Sequence, residues 1–222
     1  MRALACLLLV TALLAGCGDD GASIADQREE QARSAADDAG LSPAVSDFLA
    51  LLGRSVDATF QVTFPTGEGR STIVLSQLPP DRRVDVTDGR EILQSEITRG
   101  GVTYRCAPAD PGAALECSRS GSASDPGLFD PDVLAATAEQ LRTSAADHDL
   151  VVEDRTIAGA DARCLVVTRK PDRPEPPGGS VDGTVCLAAD GAVLAVERGD
   201  QHLEATGYTR DVPAGTFELP NN

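Results

Sequence analysis

The sequence predicts an α+β domain in which antiparallel strands form a sheet covered by helices, and three observations lead there. Residues 56–64 (Val-Asp-Ala-Thr-Phe-Gln-Val-Thr-Phe) alternate apolar and polar without a break, the pattern of a strand with one face buried. Turn-forming pairs then recur at hairpin intervals. Two stretches, one before this strand and one in the middle of the chain, carry apolar residues at helical spacing.

Taken in order, Met1-Arg2 precedes an apolar run over 3–15 that is too short to cross a membrane and suits an export signal. It ends in Leu14-Ala15-Gly16-Cys17, which resembles the bacterial lipobox. That resemblance implies a lipoprotein signal peptide over 1–16, cleavage before Cys17, and lipidation of Cys17. The expected location is the extracytoplasmic face of the cell membrane, with the membrane contacted through the N-terminal acyl anchor. Residues 17–41 are rich in Asp, Glu, Ala and Gly and poor in large apolar side chains, so they are expected to form an acidic flexible tether; a solvated helix over 24–38 is the competing reading. One domain over 42–222 follows.

Within it, Ser42-Pro43 starts a helix whose apolar face is Val45, Phe48, Leu49 and Leu52, with Gly53 as its stop. After the alternating strand, apolar segments around Ile73, Val84, Ile92 and Val102 are separated by Gly67-Glu68-Gly69, Pro79-Pro80, Asp88-Gly89 and Gly100-Gly101, which predicts an antiparallel meander. Asp130-Pro131 caps a second helix to about Ala146, with Val133, Leu134 and Leu141 on its apolar stripe.

Asp190-Gly191 and Gly199-Asp200 suit two-residue hairpin loops, and those loops fix a register: Leu187 opposite Leu194, Val185 opposite Val196, Val196 opposite Leu203, and Leu194 opposite Ala205. Cys6 leaves with the signal and Cys17 takes the lipid, so Cys106, Cys117, Cys164 and Cys186 remain, and export favours disulfides. Of three possible pairings, Cys106 with Cys117 and Cys164 with Cys186 are preferred, because Pro111-Gly112 and Pro176-Pro177-Gly178 lie near the midpoints between partners. A zinc site lacks the usual spacing of ligand pairs. The second bridge places Leu165 beside Val185 and turns both cysteines to the opposite face with Ala195 and Glu204. Phe60, Val62, Leu165, Val185, Leu187, Leu194, Val196 and Leu203 thus form a candidate apolar ligand-binding face, to be covered by helices, by a ligand, or by both.

Nineteen Lys and Arg stand against 35 Asp and Glu, and the formal charge of −16 repels phosphate backbones, so no nucleic acid partner is expected. Catalytic chemistry has little to build on. Asp147-His148-Asp149 follows the second helix and suits a solvated helix end, while His202 lies beside a turn and is expected to be exposed. Gly178-Gly179-Ser180-Val181-Asp182 misses the last glycine of a nucleophile elbow. Asp125, Asp130 and Asp132 lack the spacing of a calcium loop, and no glycine-rich phosphate cradle follows a strand. No catalytic residue, metal ligand or cofactor is expected, and nothing indicates an oligomeric state.

The layout of lipobox, tether, short helix, antiparallel strands, internal helix and further strands resembles the LolA/LolB and LppX/LprG group of envelope carriers. Supporting phrases are Ala58-Thr59-Phe60-Gln61-Val62, then Leu78-Pro79-Pro80-Asp81-Arg82-Arg83-Val84-Asp85, and Phe217-Glu218-Leu219-Pro220 near the end. The resemblance implies a strongly curved antiparallel sheet, a half-barrel, with two or more helices on its concave face around a hydrophobic cavity. It also implies a membrane-anchored carrier of a lipid or another apolar ligand, including a lipidated protein. The cysteine pairs depart from LolA. The alternative is a non-enzymatic envelope interaction module whose core is filled and which acts through loops such as 170–179.

Overall fold

Ser23 starts the first helix, α1 (Ile24–Asp38), with a reciprocal cap: its Oγ accepts the Asp26 N–H at 3.1 Å, and the Asp26 carboxylate accepts the Ser23 N–H at 3.1 Å. Ser42 caps α2 (Pro43–Arg54) through the Val45 N–H, and Pro43 sits in the first turn, where its missing donor costs nothing. The third helix is α3 (Pro131–Ser144). These are placed in a computed structural model that describes residues 23–66, 71–110, 112–122, 131–173, 182–199, 201–213 and 215–220. The signal peptide and Cys17 lie outside the described residues, as do most of the 170–179 loop and the Gly178–Asp182 match up to Val181.

Over 24–38 the expected tether is instead a helix packed into the domain. Its buried residues, Ala32 and Ala36, meet Leu49 of α2 and Ala138 of α3, so small side chains rather than large apolar ones make the contact. Gly53 explains the close approach. It does not stop α2 but lies inside it, where a Cβ would come within 3.1 Å of the Arg28 backbone of α1. Glu29 then ties α1 to α2, accepting from Arg54 Nε at 2.5 Å and Nη2 at 2.9 Å, and from Arg33 Nη2 at 2.8 Å.

The hydrogen bond from Arg54 is the first cause that holds the Glu29 carboxyl below the usual carboxylate range, with the charges of Arg54 and Arg33 adding to it. A carboxyl whose folded pKa is lowered stabilises the fold above its unfolded value of about 4.3, and loses that contribution as pH falls through the folded value. The protection of α1 amides, taken relative to the intrinsic exchange rate at each pH, should therefore fall as pH drops below about 4. Glu29→Gln should remove this acid sensitivity and cost about 1 kcal/mol or less at neutral pH, because Arg54 is half exposed. An unchanged acid response in the variant would assign it to another group.

Among the described residues, twelve strands form two antiparallel sheets. The first half of the chain gives the expected meander: β1 (Phe60–Thr66), β2 (Ser71–Leu78), β3 (Asp81–Asp88), β4 (Glu91–Arg99), β5 (Val102–Pro108) and β6 (Leu115–Ser122). Strand β1 starts at Phe60 and not at Val56. Asp57 reaches back to accept the Ala25 N–H of α1 at 2.9 Å, and the carbonyls of Ser55 and Ala58 accept from the Gln77 side chain, so residues 55–58 form the joint between helix and sheet.

After α3 come β7 (His148–Ile157), β8 (Ala160–Arg169), β9 (Gly183–Ala188), β10 (Val193–Arg198), β11 (Gln201–Glu204) and β12 (Gly207–Thr209). Sheet order is β12-β1-β2-β3-β4-β5-β6 in one and β11-β10-β9-β8-β7 in the other. Residues 201–209 join them, since β11 pairs with β10 and β12 with β1. Cys106 bonds Cys117 across β5 and β6, and Cys164 bonds Cys186 across β8 and β9, each pair directly opposite in its ladder.

The register holds for Val185 with Val196, Val196 with Leu203, and Leu165 with Val185. It fails for Leu187, whose partner is Val193. The turn is one residue longer than a two-residue loop: Ala188 and Ala192 pair around Ala189-Asp190-Gly191, with Gly191 at φ +85°. A bulge between Val193 and Ala195 restores the register and leaves Leu194 as the extra residue.

Two cores result. One lies between the sheets, where Phe60, Val62 and Phe64 of β1 meet Cys164, Cys186, Leu194 and Ala195. The other lies on the opposite face of the five-stranded sheet, where Leu165 and Leu187 meet Val45, Phe48 and Leu51 of α2. The five-stranded sheet is therefore covered by helices on one side and by the seven-stranded sheet on the other.

Candidate functional site

Alternation along β7, β8 and β9 builds the helix-covered face. Cross-strand partners share a face, so His148 with Arg169, Leu150 with Val167, Val152 with Leu165 and Asp154 with Arg163 form four successive rows, and Val185 and Leu187 extend the last two rows onto β9. The face is apolar in its middle and charged at both ends. Leu165 and Leu187 are shut off from solvent under α2, whereas Leu150, Val152, Val167, Val185 and Val193 are only half buried. Helices thus cover the middle of this face at Leu165 and Leu187 and leave half-buried apolar residues on both flanks, with a strip of Leu150, Val152 and Val167 toward β7.

At the Asp154 end a cleft of about 730 Å³ opens between the helices and the β7–β8 hairpin. Its walls include Arg33, Arg54, Arg155 and Arg163 together with Asp154 and Asp161. The charges are mutually occupied: Arg33 and Arg54 hold Glu29, Arg155 holds Glu153 at 2.7 Å, and Arg163 lies 3.9 Å from Asp154. Such a cleft suits a polar ligand or a charged partner surface more than a hydrocarbon chain.

The His148 end differs from the solvated helix end expected for Asp147-His148-Asp149. His148 is buried, 6% exposed, because it opens β7 directly beneath the C-terminus of α3. Its Nδ1 donates to the Ser144 carbonyl at 3.1 Å, and its Nε2 lies 3.7 Å from Asp182 Oδ1 without a hydrogen bond. Asp182 accepts the Arg169 backbone N–H at 2.7 Å. Lys170 Nζ donates to the carbonyls of Ala145 and Ala146, closing the end of α3, where exposed carbonyls favour a cation. His202 is exposed, 3.1 Å from Glu197.

The eight residues expected to share one ligand-binding face are divided. Phe60, Val62 and Leu194 lie in the core between the sheets, with Leu203 packed at its margin. Leu165 and Leu187 lie under α2 with Val185 beside them, and Val196 is exposed. The bulge at Leu194 and the packing of β1 against the reverse of the five-stranded sheet separate them. His148 and Arg169 were not visible as a pair in the sequence, since 21 residues separate them and only the β7–β8 register brings them opposite each other.

Among the described residues, no three His, Cys, Asp or Glu side chains gather as metal ligands, and no helix is long and apolar enough to cross a membrane. Compared with protein-family models and with curated proteins, the sequence matches none.

Proposed function

We propose that this chain is a membrane-anchored cell-envelope lipoprotein that binds a hydrophobic ligand, a lipid or a lipidated protein, on the helix-covered face of its five-stranded sheet. The observation that carries the reading is the set of half-buried apolar residues flanking α2, with Leu150, Val152 and Val167 as a strip on one side and Val185 and Val193 on the other. An apolar strip within reach of water gains about 25 cal/mol for each Å² that a ligand covers. The half-barrel belongs to the same proposal, and the passage of 201–209 from β10 to β1, which links an edge of one sheet to an edge of the other, supports it. The lipobox-like Leu14-Ala15-Gly16-Cys17 supports the anchor and the extracytoplasmic location.

The second reading, an interaction module without a ligand cavity, is favoured by the charged lining of the Asp154-end cleft. Mass spectrometry of organic extracts from the purified protein separates the two. The carrier reading expects a bound apolar molecule, and expects Cys17→Ser to release the protein from membranes with that molecule retained. An extract free of lipid, together with no uptake of a fluorescent acyl probe, would leave the module. A Cys17→Ser protein that is exported and still partitions as an integral lipoprotein would remove the anchor.

A further inference from the structure

The His148 end of the strip holds two buried polar atoms that the fold does not satisfy. Arg169 Nη1 and His148 Nε2 are both shut off from solvent without a hydrogen-bond partner. They stand on cross-strand partners of the same face, one row from Leu150 and Val167. Arg169 is half-buried and stays charged, and a donor such as its Nη1, sealed from water without an acceptor, is costly to keep. The neighbouring charges are otherwise engaged. Lys170 is held by the Ala145 and Ala146 carbonyls, and Arg173 lies 3.4 Å from Asp147. The carboxylate that faces the pair, Asp182, points its Oδ1 at the Arg169 backbone amide and stays 3.7 Å from His148.

We propose that Arg169 and His148 form an oxyanion site that takes the head group of an anionic amphiphile, whose chain lies along Leu150, Val167 and Val152. This rests on the carrier reading and specifies its ligand. Nδ1 of His148 is committed to the Ser144 carbonyl, which leaves Nε2 as the ring nitrogen that faces the oxyanion beside the guanidinium, donating to it from an imidazolium ring. The order of rows, cationic and then apolar, matches the order of parts in a fatty acid or a phosphate-headed lipid.

The test uses the full chain carrying Cys17→Ser, delipidated, and titrated with the fluorescent fatty acid cis-parinaric acid and with its methyl ester. The acid should bind about ten- to a hundredfold more tightly than the ester, the worth of a hydrogen bond to a charged group. Arg169→Gln should bring the acid down to the ester's affinity and leave the ester unchanged. His148→Gln, which can keep the bond to Ser144, should weaken the acid alone, and it serves if Arg169→Gln does not fold. Displacement of the probe by oleate or by lysophosphatidic acid, with inorganic phosphate as the chainless control, distinguishes carboxylate from phosphate heads. Equal binding of acid and ester would overturn the oxyanion site and leave the carrier; binding of neither would overturn both.

Discussion

Replacing Leu194 by Asp should prevent folding, while the same change at Val196, two residues away on the same strand, should cost little. Leu194 is fully buried in the core between the sheets, beside Phe60, Val62 and the Cys164–Cys186 bridge. An isolated carboxylate there has no partner, and its burial would exceed a typical domain stability of about 5–15 kcal/mol or force the core open. The milder Leu194→Ala should lose about 2–5 kcal/mol, the transfer of the missing atoms plus the cavity they leave. Val196 is 36% exposed, so Val196→Asp should stay within about 1 kcal/mol, the span of strand preference. Thermal melts of the three variants check this, and a folded, unshifted Leu194→Asp protein would contradict the bulge that turns Leu194 inward. The experiment also separates stability from ligand uptake, since Leu194 lies on the opposite side of the sheet from the strip that the proposed ligand covers.

What was legible in the sequence follows from periodicity. Val45, Phe48, Leu49 and Leu52 mark α2, the Phe60-Gln61-Val62-Thr63-Phe64 alternation marks β1, and the turn pairs mark the meander, because each pattern recurs with the period of its own element. The cysteine pairing was legible because each bridge closes a hairpin. The docking of α1 was not, since its buried residues are Ala32 and Ala36 and its partner position is Gly53, none of which adds to a hydrophobic stripe. Leu194 and Val196 look equivalent by alternation, and only the extra residue at the bulge distinguishes them. The candidate site was the least legible part. Arg169 and His148 look like ordinary surface residues until pairing of β7 with β8 places them face to face beneath α3.

Gly191 joins these levels in one position, and Gly191→Ala should cost about 2–5 kcal/mol through two separate effects. Its φ of +85° is a left-handed conformation that a residue with a Cβ adopts at about 1–2 kcal/mol. In addition, a Cβ here would press on the Leu51 carbonyl oxygen and come 2.7 Å from the Ser55 nitrogen, at the end of α2. Neither neighbour yields easily. Both are backbone atoms, and on the other side the turn is held by Asp190, which accepts the Ala192 N–H at 3.1 Å and the Tyr208 hydroxyl at 2.5 Å. Gly89 supplies the control, because its φ is +60° and nothing lies within 4 Å of the place its Cβ would take. Gly89→Ala should therefore show only the conformational part, about 1–2 kcal/mol. The difference between the two melts measures how firmly the β9–β10 turn seats against α2. Equal losses would mean that this contact is absent in solution, and that α2 is free to move away from the sheet and widen the strip beneath it.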